Sequence, residues 1–69
     1  MIDTWFKYLI IFSDGSVWSK TNLLRRWSSE LIIEEALSLR YIEQCGITDI
    51  GDLQYRITDL GRKIRDKNN

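Results

Sequence analysis

The feature that most constrains the fold of this chain is a change in the spacing of its apolar residues near Arg40. Before Arg40 they recur at helical intervals, whereas residues 53–57 alternate apolar with polar side chains, as a half-buried strand does. Residues 41–45 form a second candidate strand, and the connection 46–52 holds two glycines that can supply the positive φ of a long, bulged loop. The pattern predicts a helix followed by a two-stranded hairpin.

The first stretch, residues 3–12, is compatible with two kinds of element. Its apolar residues recur at i, i+4 and i+7, which predicts a helix with Asp3 or Thr4 as its cap. The stretch is also rich in aromatic and β-branched residues, so a strand is the alternative. We favour the helix, followed by a turn over residues 13–16 and a brief strand over residues 17–18.

Capping residues mark the other helices. Ser19 is a suitable cap for a helix from about residue 20 to residue 27, and Ser28 or Ser29 starts the next helix. After the hairpin, the hydroxyl of Thr58 can accept a backbone N–H from the first turn of a short last helix. The predicted order is helix, short strand, helix, helix, strand, loop, strand, helix.

The third of these helices has a buried and an exposed arc when its residues are placed 100° apart. Its glutamates fall on the exposed arc, together with Leu31 and Ser38. Its apolar arc is predicted to share one core with the two strands of the hairpin and with the last helix. The members of this predicted core are Ile32, Ala36, Leu39, Ile42, Tyr55, Ile57 and Leu60.

The last 40 or so residues carry a series of motifs in a defined order. A helix ending in Ala36-Leu37-Ser38-Leu39 passes into Arg40-Tyr41-Ile42-Glu43, and the chain returns with Tyr55-Arg56-Ile57-Thr58-Asp59-Leu60-Gly61-Arg62. This series resembles the second half of a winged helix-turn-helix domain and is similar to the MarR type. The resemblance implies an α+β fold in which residues 1–69 form one domain, with three core helices, a two- or three-stranded β wing and a short C-terminal helix. Arg40 stands where the family usually has Gly, so a left-handed residue there would cost about 1 kcal/mol more than Gly.

Charge and histidine content restrict the function. Ten Lys and Arg residues balance ten Asp and Glu residues, and the chain has no His. A dedicated nucleic-acid binder usually has a basic excess, so zero net charge counts against DNA as the partner. Without His, the usual general base, the usual zinc ligand and any Ser-His-Asp arrangement are excluded. We therefore expect that the protein is not an enzyme and has no metal site and no cofactor.

One cysteine and one short apolar run bear on location. Cys45 is the only cysteine, which fits a reducing compartment, and we interpret it as a small, half-buried strand residue. The longest apolar run, residues 8–12, is far shorter than the ~20 residues that a membrane-spanning helix needs. We expect a cytoplasmic protein that does not span a membrane.

The first functional hypothesis, implied by the resemblance, is a small DNA-binding or transcription-associated protein. In that geometry the third helix enters the major groove, while the wing tip and basic side chains contact the backbone. The exposed arc of the third helix offers three carboxylates and no Lys or Arg, which opposes binding to phosphates. The candidate DNA contacts are Ser28, Ser29, Glu30, Leu31, Glu34 and Ser38 on the third helix, Thr48, Asp49 and Gly51 at the wing tip, and Arg25, Arg26 and Arg56 on phosphates.

The second hypothesis is a protein–protein interaction module on the same scaffold that does not bind DNA. A basic second helix beside an acidic third helix suits a partner or a second copy. Trp5, Trp18 and Trp27 either all pack in the core or leave one exposed as an interface anchor. The apolar side chains of the stretch 3–12 point in nearly every direction around a helix, so one face would stay uncovered in a monomer of this size. We therefore also predict a homodimer through the first and last helices. The alternative is that the last helix folds back over this stretch.

Overall fold

A computed structural model describes residues 5–67 of the chain. Within these residues it contains four helices and one antiparallel sheet of three strands, with the strand order β1-β3-β2. The predicted α+β class and the predicted order of elements are therefore confirmed. The elements are α1 (Trp5–Leu9), β1 (Trp18–Ser19), α2 (Lys20–Trp27), α3 (Glu30–Ser38), β2 (Ile42–Ile47), β3 (Leu53–Ile57) and α4 (Asp59–Asp66).

The first stretch is a helix and not a strand, as favoured from its apolar spacing. The helix is shorter than predicted, because it ends at Leu9. Two further backbone hydrogen bonds follow, from the Ile10 N–H to the Phe6 carbonyl at 3.1 Å and from the Phe12 N–H to the Leu9 carbonyl at 3.0 Å. Residues 13–16 form the predicted turn, closed by the Ser16 N–H on the Ser13 carbonyl at 3.0 Å. The proposed caps Asp3 and Thr4 lie outside the described residues.

Capping determines the bounds of α2 and α3. The Ser19 hydroxyl accepts the Asn22 N–H at 3.3 Å, which confirms the predicted cap of α2. Ser28 ends α2 in the left-handed region at φ 60°, and its N–H donates to the Leu24 carbonyl at 2.7 Å. Ser29 then precedes α3 with extended backbone, and its hydroxyl makes no capping hydrogen bond.

The sheet differs from the sequence prediction in two details. The first strand covers Trp18 and Ser19 instead of residues 17–18, because its pairing begins where Trp18 lies opposite Tyr55. The hairpin has its positive φ at Gly51 (84°), as predicted for one of its two glycines. Gly46 does not have a positive φ. It instead follows the bulge at which the β2–β3 register shifts.

The core lies between the helices and the inner face of the sheet. Its buried residues are Leu9, Phe12, Leu23, Trp27, Ile33, Ala36, Ile42, Tyr55 and Ile57. Four predicted members are thus confirmed, and Ile32 is half-buried against the cluster.

Leu39 and Leu60 were predicted to be core residues, and this was wrong, since they are 40% and 44% exposed. Leu39 is the C-terminal cap of α3, where the chain already leaves the helical stripe. In α4, Gly61 is buried and Ile64 packs against the core, whereas Leu60 points about 100° away from Gly61.

The three tryptophans pack in or against this core. Trp27 is buried, and its indole N–H donates to the Tyr8 carbonyl at 3.0 Å. Trp5 meets Trp27 edge to face at a centroid distance of 6.3 Å, and Trp18 is half-buried 6.2 Å from Phe12. The structure therefore supports the core alternative for the tryptophans over an exposed aromatic anchor.

A joint between Tyr41 and Thr58 connects four elements. The Thr58 N–H donates to the Tyr41 carbonyl at 3.0 Å, and the Thr58 hydroxyl accepts the Gly61 N–H at 3.0 Å, which confirms the predicted cap of α4. The same hydroxyl lies within hydrogen-bonding distance of the Arg40 and Tyr41 carbonyl oxygens. Arg40 is left-handed at φ 64°, at the position where the resemblance implies a Gly.

α4 folds back along α1 and is fastened there by Arg65. The Arg65 guanidinium donates to the Phe12 carbonyl at 2.7 Å and to the carboxylates of Asp14 at 2.9 Å and Asp66 at 2.8 Å. These two carboxylates raise the pKa of Arg65 above its ordinary value. The last helix therefore supplies a second layer over α1, as in the alternative to the predicted dimer.

Ile57→Ala is expected to lower the free energy of unfolding by about 2–5 kcal/mol, because Ile57 is 7% exposed and its truncation leaves a cavity. Leu60→Ala, the matched control, is expected to cost less than about 1 kcal/mol, since this side chain already lies partly in water. Urea denaturation of both variants measures the difference. Equal losses would contradict the assignment of core and surface.

Gly61→Ala is expected to cost about 3 kcal/mol or more, because a Cβ there would overlap the Tyr41 carbonyl oxygen and approach Ile57 Cγ1 to 2.7 Å. Gly46→Ala is the control. Its Cβ would meet only the end of the flexible Gln54 side chain, at 2.8 Å, so the cost is expected to be small. A thermal melt of Gly61→Ala that overlays the wild type would show that the joint is looser than described.

Candidate functional site

The exposed side of α3 is the surface that most resembles a binding site. We call it the α3 face and define it by its exposed residues, Glu30, Leu31, Glu34, Glu35 and Ser38. The predicted exposed arc is therefore confirmed. Leu31 is apolar, yet it is 74% exposed, because the buried residues Ile33 and Ala36 occupy the opposite side of the helix.

An ion pair joins the first turn of α3 to the first turn of α2. The Lys20 ammonium lies 2.6 Å from the Glu30 carboxylate, and both side chains are partly exposed. Glu30, first through this hydrogen bond and then through its charge, raises the pKa of Lys20 above its ordinary value. Lys20 is thus already neutralised by a residue of the α3 face.

A second contact joins the hairpin to the same turn of α2. The Thr21 N–H donates to the Asp52 carboxylate at 3.3 Å. The Asp52 N–H in turn donates to the Thr48 hydroxyl at 3.0 Å, and the Thr48 N–H donates to the Asp52 carbonyl at 2.8 Å, so the hairpin turn is internally tied. The Asp52 carboxylate therefore already accepts a hydrogen bond from a backbone N–H at the N-terminus of α2. In other proteins, N–H groups at helix N-termini bind phosphate.

The hairpin turn presents apolar residues that the sequence argument did not single out. Thr48, Asp49 and Gly51 were the candidate contacts there, yet Ile50 between them is 91% exposed and Ile47 is 59% exposed. The available signal was position, because Ile50 lies inside the turn, where no strand alternation can direct it to the core.

The basic candidates are divided between two places. Arg25 and Arg26 are exposed in the last turn of α2, and the Arg26 guanidinium lies 5.7 Å from the centre of the Trp18 ring. Within residues 5–67 neither forms an ion pair. Arg56 instead projects from the outer face of the sheet, because its strand neighbours face the core, and it pairs with Glu43 at 3.5 Å. Ser28 and Ser29 form the α2–α3 turn.

Cys45 was predicted to be half-buried, and this was wrong, because it is exposed. It is the extra residue of the bulge between Gln44 and Gly46, so it has no partner position on β3. With Arg56, Glu43 and Arg62 it lines an open groove of about 710 Å³ on the outer face of the sheet.

No group of three Cys, Asp or Glu side chains within residues 5–67 is arranged to hold a metal ion. No helix in the same range is long and apolar enough to cross a membrane.

Comparisons of the chain with models of protein families, with curated proteins and with solved structures give no match. Function must therefore be inferred from the charges, apolar side chains and contacts of the surface itself.

Glu30→Gln is expected to lower the pKa of Lys20 toward its ordinary value, because the variant removes the carboxylate that holds the pKa up. Glu35→Gln is the matched control on the same helix and is expected to leave the pKa of Lys20 unchanged. NMR titration of the Lys20 side chain measures both. A Lys20 pKa that does not respond to Glu30→Gln would mean that the α2–α3 ion pair does not form in solution.

Proposed function

We propose that this chain is a winged-helix domain that binds a protein partner through its α3 face and hairpin turn, and does not read duplex DNA. The order of the elements supports the scaffold, with α2 and α3 as the helix-turn-helix and the β2–β3 hairpin as the wing. The resemblance seen in the motifs from residue 36 to residue 62 supports it as well. Fold alone does not give function, so the surface has to decide between partners.

The observation that carries the proposal is the composition of the α3 face. It exposes three carboxylates and an aliphatic side chain, Leu31, at the place where a DNA-reading helix carries groups that bond to base edges. Carboxylates repel the phosphate backbone, which supplies most non-specific affinity for DNA. An exposed aliphatic residue surrounded by charge is instead typical of a surface that another protein covers.

The contacts around α2 support the same conclusion. A helix-turn-helix positions itself on DNA through backbone N–H groups at helix N-termini and through Lys and Arg on phosphates. Here the Thr21 N–H is held by Asp52 and the Lys20 ammonium by Glu30. Binding a phosphate at either group would require one of these carboxylates to move away first, with no gain in net attraction.

DNA binding is the second candidate, and one observation favours it. Arg25 and Arg26 are exposed, adjacent and without an ion pair within residues 5–67, so they are available to contact phosphates. If DNA were bound, these two residues would carry the non-specific affinity. The α3 carboxylates would then weaken it.

The cytoplasmic location and the homodimer expected from the sequence remain proposals. A single cysteine, exposed at Cys45, suits a reducing compartment. A dimer through α1 and α4 would have to use the apolar residues exposed on or next to these helices, chiefly Ile10 just after α1 and Leu60 in α4.

Titration against a fluorescent duplex of about 20 base pairs, two helical turns, is expected to give no salt-sensitive binding at micromolar protein. The triple variant Glu30→Gln, Glu34→Gln, Glu35→Gln is expected to bind the same duplex more strongly than the wild type. It removes three like charges and frees Lys20. Fluorescence anisotropy at about 50 mM and 200 mM salt measures both.

The opposite result would establish the second candidate. It requires that the wild type binds duplex DNA, that Arg25→Ala and Arg26→Ala weaken binding to all sequences alike, and that each lowers the salt dependence by about one unit per phosphate contact. Uniform loss of DNA binding on Glu34→Ala, with the fold intact, would further show that the α3 face contacts DNA directly.

A further inference from the structure

The two most exposed large apolar side chains of the described residues lie on two elements that both contact the start of α2. They are Ile50 in the hairpin turn (91% exposed) and Leu31 in the first turn of α3 (74% exposed). Leu31 follows Glu30, which is bound to Lys20, and Ile50 precedes Asp52, which is bound to the Thr21 N–H. The two elements that carry Leu31 and Ile50 therefore both contact the first turn of α2.

Each of the two apolar side chains is surrounded by carboxylates of its own element. Glu30, Glu34 and Glu35 accompany Leu31 on α3, and Asp49 and Asp52 flank Ile50 in the turn. The only cation tied into this region by a described contact is Lys20, and Glu30 already binds it. Two elements that are far apart in sequence thus present the same combination, an exposed aliphatic side chain with carboxylates close to it in the chain.

We infer that the partner presents a basic amphipathic helix, whose aliphatic side chains cover Leu31 and Ile50 while its Lys and Arg residues pair with the surrounding carboxylates. This inference rests on the proposed function and names its partner. Charge complementarity requires a positively charged partner, because a surface with five carboxylates attracts cationic groups and repels anionic ones. The apolar pair then provides the anchors that a purely electrostatic contact lacks.

The partner segment is inferred to be a helix and not an added strand. An added strand needs a free sheet edge, and the β2 edge is interrupted by the bulge at Cys45. Leu31 and Ile50 lie on a helix and in a turn, which offer side chains but no row of unpaired backbone groups. An amphipathic helix binds such a surface through apolar residues spaced i, i+3, i+4 and i+7.

The inference is tested with a defined probe, a labelled peptide of about 16 residues, or four helical turns, with Leu at helical spacing and Lys elsewhere. The wild-type protein is expected to bind it at about 50 mM salt and to lose affinity at about 200 mM salt, because the paired charges are exposed. A scrambled peptide of the same composition, with the same charge but no apolar stripe, is expected to bind at least tenfold more weakly.

Variants of the protein locate the binding surface. The double variant Leu31→Gln, Ile50→Thr is expected to weaken binding of the amphipathic peptide at least tenfold. The matched control Ile10→Gln, Val17→Thr changes exposed aliphatic residues elsewhere and is expected to leave binding unchanged. All four positions are exposed, so thermal melts should show that both variants remain folded. The triple Glu→Gln variant of α3 is expected to remove most of the salt dependence.

Three results would overturn the inference while leaving the proposed function intact, provided that the wild type does not bind duplex DNA. They are no binding of the amphipathic peptide at low salt, equal binding of the scrambled peptide, and full binding by the Leu31→Gln, Ile50→Thr variant. A dimer mass in sedimentation equilibrium that this variant converts to a monomer would also overturn it, because a second copy would then be the occupant. Salt-dependent binding of duplex DNA by the wild type would instead overturn the proposed function.

Discussion

The fold depends on the contact of the Arg40 and Tyr41 carbonyl groups with Thr58 and Gly61. This contact joins the end of α3, the start of β2, the end of β3 and the start of α4 within a few residues. Gly61 is required because its backbone packs directly on the Tyr41 carbonyl, where no Cβ fits. With the start of α4 fixed there, Arg65 two turns later reaches the Phe12 carbonyl and closes the helix over α1. The left-handed Arg40, about 1 kcal/mol less favourable there than Gly, is tolerated because the joint holds it on both sides.

The parts of the fold that could be predicted from the sequence are those whose causes are local. The caps Ser19 and Thr58 act on N–H groups three residues away, and the alternation in residues 53–57 reports the two faces of one strand. The Thr-x-x-Gly-Arg segment was recognised as a motif, and the structure gives its physical content: Thr58 caps α4 while Gly61 allows the close approach.

What the sequence could not supply are contacts between distant residues and the direction of side chains at element ends. Lys20 and Glu30 are ten positions apart and Thr21 and Asp52 are thirty-one apart, so no local sequence pattern indicates that they are in contact. Leu39 and Leu60 fit an apolar stripe by counting. Leu39, however, is the C-terminal cap of α3, and Leu60 points about 100° away from the buried Gly61 of α4. Cys45 was predicted to be a half-buried strand residue, and it is exposed because a bulge interrupts the strand at its position.

The zero net charge of the chain does not describe how its charges are distributed over the surface. The balanced totals counted against DNA as the partner, but they do not show which charges are paired. Three arginines are taken up by local pairs: Arg56 with Glu43, Arg62 with Asp59, and Arg65 with Asp14 and Asp66. The carboxylates of α3 and of the hairpin turn, by contrast, outnumber the one cation bound among them. A partner responds to the charges within about a Debye length of its own surface, roughly 10 Å, and not to the total for the chain. Net charge therefore could not decide between DNA and protein as the partner. The arrangement of Glu30, Asp52 and their neighbours around the first turn of α2 provides the stronger physical argument, and it favours a cationic partner.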